Sequence, residues 1–264
     1  VALEDGKVFR APVVASNMDI KRTILHHVDQ AELPDTFTRA VSNFKIRGSS
    51  AKLNIALDAF PDFPAAPQHA SFLRGDMHAS GSLFELERAY DEWKVGQWSA
   101  KPYIDMLIPS QIDPTMAPTG AHMMTVFVQY APYDLAVEGV RSADNWNDRR
   151  RQAMADAVLD QISVACPDIR ERVVHMEVRS PLEIEREVGL TEGNIFQGEL
   201  TFDQLFFNRP VPGWSQYDLP IRGLYLCGSS AHPGGGVMGA PGANAARAIL
   251  RDSKRHGRMT GYAA

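Results

Sequence analysis

"HPGGGVMGAPGANAARAIL", residues 232–250, is the stretch on which the fold turns. Gly234, Gly236 and Gly239 satisfy the G-x-G-x-x-G spacing, and residues 240–251 read as a helix directly behind them. A self-contained dinucleotide fold needs those glycines after its first strand, then a helix, a second strand and an acid about 20 residues on. Only residues 252–264 follow the helix here, and they carry no second strand. The glycines are therefore read as a strand-to-helix turn, preceded by the buried strand "GLYLCG" (223–228). Such a turn still lets a ligand approach the backbone and presents free N–H groups at a helix start.

Outward from this turn, the 264 residues are 44% hydrophobic with a net charge of −5, enough to bury one large core or two small ones. No basic footprint exists, so nucleic acid is excluded as a partner. No apolar run reaches the ~18 residues of a bilayer span, and no secretory leader is read at the start. The location expected is cytoplasmic or organelle matrix, with association at a membrane surface left open. Cys166 and Cys227 are the two cysteines, and so sparse a pair predicts free thiols. No His/Cys/Asp/Glu run has zinc-like spacing, His26 and His27 being adjacent, so no metal is expected.

Along the chain, "VALEDGKVFRAPVVASN" (1–17) reads as strand, turn and strand, and opens at Val1, as if a segment upstream were missing. Ile20, Ile24, Leu25 and Val28, then Leu33, Phe37, Ala40, Val41 and Phe44, have helical spacing, with Pro34 near the second helix start. In "AKLNIALDAF" (51–60), Leu53, Ile55 and Leu57 alternate on one face of a strand. A long loop is expected at 61–82, a helix over 82–97, strands at 103–110 and 123–133, a long amphipathic helix over 145–165, a strand at 169–180 and a short helix at 181–189. Residues 208–222, with three prolines, form a connector, and 255–264 a solvated tail. The fold class is α/β of the α+β kind, a mixed, largely antiparallel sheet with helices on one side.

The run "TEGNIFQGELTFDQLFFNRPVPGWSQYDLPIRGLYLCGSSAHPGGGVMGAPGANAARAIL" (191–250) resembles the C-terminal signature of the phytoene-desaturase-like FAD-dependent oxidoreductases. Their relatives include carotenoid desaturases and isomerases and pyridine nucleotide-disulfide oxidoreductase domain proteins, within an amine-oxidase-like fold. "LEDGKVFRAPVVASN" (3–17) looks like the family's β-meander, and "PSQIDPTMAPTGAHMMTVFVQYAPY" (109–133) like its central substrate-domain segment. The resemblance implies a chain about twice as long, whose N-terminal half holds the phosphate loop. It divides this chain into a meander piece of an FAD domain (1–16), a substrate-binding domain (17–200) and a return to the FAD domain (201–264).

The resemblance also implies roles. Gly228, Ser229 and Ser230 would meet the FAD pyrophosphate and ribityl chain, and Gly236, Val237, Met238 and Gly239 the N1/O2 edge of the flavin. Lys52 matches the amine-oxidase strand whose buried lysine holds a water near flavin N5, a catalytic role to be set against a strand lysine reaching to solvent. Tyr130, Phe206, Phe207, Trp214 and Tyr217 would wall a tunnel for a hydrophobic substrate, or else be plain core. Gln197 stands where relatives often carry His, which counts against a mechanism needing an imidazole there. His122 and His232 lie in family-like segments.

The function implied is the substrate-binding portion of an FAD-dependent dehydrogenase or desaturase, taking hydride from an apolar substrate onto flavin N5. The alternative is a ligand-binding or oligomerisation module, inactive alone without its nucleotide-binding half. Either way the surface meant for that half is expected to stay apolar or to pair with a second copy as a homodimer.

Overall fold

The computed structural model describes residues 1–66, 71–79 and 81–256. Its strands are β1 (Val14–Ser16), β2 (Ser50–Leu57), β3 (Met77–His78), β4 (Tyr103–Leu107), β5 (His122–Gln129), β6 (Leu135–Val137), β7 (Val140–Ser142), β8 (Val173–Arg179) and β9 (Leu224–Leu226). The α-helices are α1 (Asp35–Ser42), α2 (Leu83–Lys94), α3 (Asp148–Ser163), α4 (Ile169–Arg172), α5 (Pro181–Val188) and α6 (Ala240–His256). The class is mixed α/β, and its main sheet, ordered β3-β4-β5-β2-β8, is antiparallel throughout.

Two compact units form, one from residues 47–193 and one from 1–46 together with 194–264. The chain thus crosses between units at 46/47 and 193/194, where the sequence placed the crossings at 16/17 and 200/201. The reason is packing: Ile20, Ile24, Phe37 and Val41 are buried in one cluster with Val211, Leu219 and Leu226, which draws residues 17–46 into the second, discontinuous unit.

In the 47–193 unit, the alternation of β2 sends Leu53, Ile55 and Leu57 to a face shared with Met124, Val126 and Val128 of β5. The same cluster includes Met154, Val158, Leu159 and Ile162 of α3, whose spacing puts them on one helical stripe. Each such aliphatic side chain contributes about 1.5–3 kcal/mol by leaving water. Asn147 caps α3 by accepting from Arg150 N–H. Pro181 opens α5 behind a Ser180/Glu183 capping box, and Gly189 closes it in the left-handed conformation. The strand expected at 169–180 starts late: Ile169–Arg172 makes one helical turn, because the N–H groups of Glu171 and Arg172 donate to Asp168 O. The loop expected at 61–82 carries a 3-10 turn at Ser71–Arg74 and the edge strand β3, while residues 67–70 and 80 lie outside the described residues.

In the other unit the meander expected over 1–16 is replaced by a small hairpin, closed by an Ala2–Val8 bridge around Gly6, and by β1 pairing in parallel with the sequence-distant β9. Pro12, lacking an N–H, separates hairpin from strand. Residues Arg22–His26 form a π-helical turn that buries Thr23 and Ile24. Helix α6 extends through 256, into what the sequence reads as tail, and residues 257–264 lie outside the described residues. Cys166 and Cys227 are free thiols, one in each unit. Among the described residues no helix is long and apolar enough to cross a membrane.

Candidate functional site

Strand β9 delivers the glycine turn. Its pairing continues past Leu226, where Cys227 N–H donates to Ser16 O at 2.8 Å. A Cβ on Gly228 would lie 2.3 Å from Asn17 O and 2.7 Å from Gln197 Oε1, so only glycine lets the end of β9 close on the end of β1. Ser230 is buried, and its hydroxyl accepts from Ile20 N–H at 3.1 Å and donates to Gln197 O. That hydroxyl ties three segments together. Gln197 completes the tie, its amide donating to Asn17 O at 3.0 Å and accepting from Ser230 N–H at 3.3 Å.

Beyond Ser230 the backbone opens outward. Gly236 and Gly239 take φ of 137° and 64°, and Val237 is also left-handed at 55°, a costly conformation for a β-branched residue. Val237 is fully exposed and Met238 57% exposed, and a Cβ on Gly239 would meet nothing within 4 Å. Among the described residues, the N–H groups of Gly236, Val237, Met238 and Gly239 find no protein acceptor. They stand directly before α6, whose N-terminus adds a partial positive charge, and Pro241 suits its first turn. Four unspent donors on an open turn at a helix start fit an electron-rich ligand edge such as that of a flavin.

Arg209, which sequence reading passed over as part of a connector, holds the back of this turn. It is fully buried, and its guanidinium donates to Ser229 O through Nε (3.0 Å) and Nη2 (2.8 Å), to Phe196 O at 2.9 Å and to Glu199 O at 3.2 Å. The Phe44 ring lies 5.8 Å beneath it. Burial pushes its pKa down to about 10, which leaves it charged at neutral pH. A buried arginine is rare enough to be a signal, but the carbonyls it serves are scattered over residues 196–229 and no motif marks them.

Of the five aromatic residues read as a tunnel wall, three share one recess. Phe206, Phe207 and Tyr217 line a recess of about 590 Å³ with His232, Arg247 and Arg251. Trp214 instead packs edge-on against Phe37 at 5.1 Å, beside the core. Tyr130 belongs to the 47–193 unit, where it clusters with Tyr90 and Trp93, and burial raises its phenol pKa. In that same unit Lys52 is exposed on the face of β2 opposite the core, across from Phe127 and Arg179. The burial expected for it is not present, because it alternates with Ala51 and Leu53. His232 has a buried Nδ1 with no partner among the described residues.

Strand pairing also creates a cluster that spacing hides. Asp76, His78 and Asp105 can offer three ligand atoms within 4.8 Å of one another, His78 and Asp105 being cross-strand partners in β3 and β4. His78 Nδ1 bonds Asp105 and lies 2.8 Å from Tyr103 Oη, and Nε2 is 3.6 Å from Asp76. Burial, with Asp105 alongside, pushes the Tyr103 phenol up to about 12.

No protein-family model matches the chain. Over 260 residues it is 40% identical to pyridine nucleotide-disulfide oxidoreductase domain-containing protein 2 of Rattus norvegicus and of Mus musculus, covering 96% of this chain and 44% of each relative. The chain is a relative of these oxidoreductase-domain proteins. It spans under half the length of those relatives. More distantly, a lycopene-forming phytoene desaturase of Paracoccus sp. is 26% identical over 94% of the chain and 46% of that enzyme. A 4,4'-diapolycopene oxygenase of Methylomonas sp. is 24% identical over 90% of the chain and 43% of that protein. Among solved structures, an oxidoreductase from Methanosarcina mazei matches 95% of this chain and 44% of its own at TM-score 0.48 and 15% identity. At the coarse level the chain is similar to part of proteins named as oxidoreductases.

Proposed function

We propose that the chain is the substrate-binding and flavin-facing portion of an FAD-dependent oxidoreductase that oxidises an apolar substrate. The observation that carries this reading is the outward turn Gly236–Gly239, whose N–H groups have no protein acceptor among the described residues and which stands at the start of α6. A bound flavin would supply the hydride acceptor, its N5. Val237, Met238 and Gly239 would hold the pyrimidine edge and offset the negative charge it gains on reduction. Gly228 and the carbonyl side of Ser229 set the turn's height over β1, and Arg209 fixes it from behind. Lys52 would serve as a proton-handling group on the sheet's outer face, and Phe206, Phe207 and Tyr217 would bear on the apolar substrate.

The second reading, an association module in which the exposed apolar side chains meet a nucleotide-binding half or a second copy, is favoured by Phe202 at 88% and Phe207 at 76% exposure. An absorption spectrum of the purified chain, followed by FAD titration, tests the first reading. A flavin band near 450 nm retained on desalting supports it, as expected where the protein binds and the cofactor carries the chemistry. A colourless protein that also fails to take up FAD, and that sediments as a dimer, favours the second.

A further inference from the structure

The 47–193 unit contains a cavity that the flavin reading leaves without a role. In β5 the residues alternate so that His122 shares the core face with Met124, Val126 and Val128. Beside it a cavity of about 680 Å³ is lined by Phe60, Phe63, Leu73, Ser110, Gln111 and His122. That volume is in the range of small-molecule sites, roughly 300–1,000 Å³, which combine apolar walls with few polar anchors.

The polar anchor is set by its neighbours. Ser110 is buried, and its oxygen accepts from Met123 N–H at 3.1 Å. The hydroxyl still has its one proton, which can be donated to His122 Nδ1, 3.0 Å away. In that tautomer, with Nδ1 accepting, the ring proton of His122 sits on Nε2. Burial lowers the pKa of the ring. Phe60 stands edge-on to the ring at 5.3 Å, and Gln111 is tied to Leu73 O at 2.8 Å, so the walls and the anchor are both held. Among the described residues no protein acceptor meets Nε2, and Asp62, Ser110 and Gln111 are the other polar residues that line the cavity.

We propose that this cavity binds a neutral, largely apolar small molecule through a carbonyl oxygen that accepts a hydrogen bond from His122 Nε2. Asp62 also lines the cavity, and its carboxylate disfavours an anionic head group. The site lies within the 47–193 unit and the glycine turn in the other, and the two bindings are read by different probes, a ketone here and FAD there.

The test titrates the 264-residue chain with 2-nonanone, nonanoate and nonane, observed by calorimetry and by the ring resonances of 15N-histidine-labelled protein. The expected result is saturable 2-nonanone binding that moves the His122 Nε2 signal, with nonanoate and nonane both weaker. His122→Phe should weaken 2-nonanone roughly tenfold, the scale of one neutral hydrogen bond. Leu73→Trp, which fills the chamber and leaves His122 in place, should abolish binding, and it decides the matter should His122→Phe fail to fold. Equal 2-nonanone affinity in either folded variant, tighter binding of nonanoate, or no saturable 2-nonanone binding to the parent chain overturns the proposal.

Discussion

Replacing Arg209 with Met removes the charge at the back of the glycine turn while nearly keeping its volume. Three of its donor contacts are 3.0 Å or shorter, two to Ser229 O and one to Phe196 O. The loss leaves buried carbonyls at Ser229 and Phe196 without those donors and Glu199 O without its 3.2 Å contact. At about 1–3 kcal/mol per orphaned group, the cost is about 3–9 kcal/mol. Against this, the variant escapes the burial of a charge whose pKa falls from 12.5 to about 10, worth on the order of 3 kcal/mol. The net is a destabilisation of about 0–6 kcal/mol, centred on about 3 kcal/mol, read by urea unfolding followed by tryptophan fluorescence. The Ser230 amide, which donates to Gln197 Oε1, should also exchange with solvent faster in the variant. A change below about 0.5 kcal/mol, the scale of an ordinary surface substitution, with Ser230 exchange unaltered would refute the claim that Arg209 holds the turn.

Gly228→Ala should destabilise the chain by about 1–3 kcal/mol, the usual cost of overpacking, because the new methyl collides with Asn17 O; thermal unfolding reads it directly. Lys52→Met should leave stability within about 0.5 kcal/mol, as for an exposed position, while changing the reoxidation rate of the FAD-loaded protein measured by stopped flow. The Cys166 thiol is pushed up to about 12, first by burial and then by Asp168. At pH 8 the folded protein should therefore hold almost no Cys166 thiolate and react slowly with a disulfide reagent, reacting fully once unfolded in urea.

What the sequence reveals and what it hides divide along physical lines. The 53/55/57 alternation and the α3 stripe are local periodicities, and β2 and α3 form where they predict. The capping box at Ser180 and Gly189 bounds α5 in the same local way. The β1–β9 pairing joins residues some two hundred positions apart, and nothing in "VVAS" announces a parallel partner, so a meander was expected in its place. The first turn of 169–180 is helical because of hydrogen bonds to Asp168 O that hydrophobic pattern does not encode. At the site, glycine spacing marks the turn, but Arg209 acts through scattered backbone carbonyls. Similarly Asp76, His78 and Asp105 meet through strand register, which sequence spacing cannot show.

The central claim is that the turn Gly236–Gly239 holds a flavin edge. Amide hydrogen exchange of the chain with and without saturating FAD tests it residue by residue. The account predicts strong protection of Val237, Met238 and Gly239 on FAD addition, with the Ser230 amide, held by Gln197 Oε1, little changed. Bound FAD that leaves those three amides exchanging as before, or no FAD uptake at saturating concentration, would contradict it.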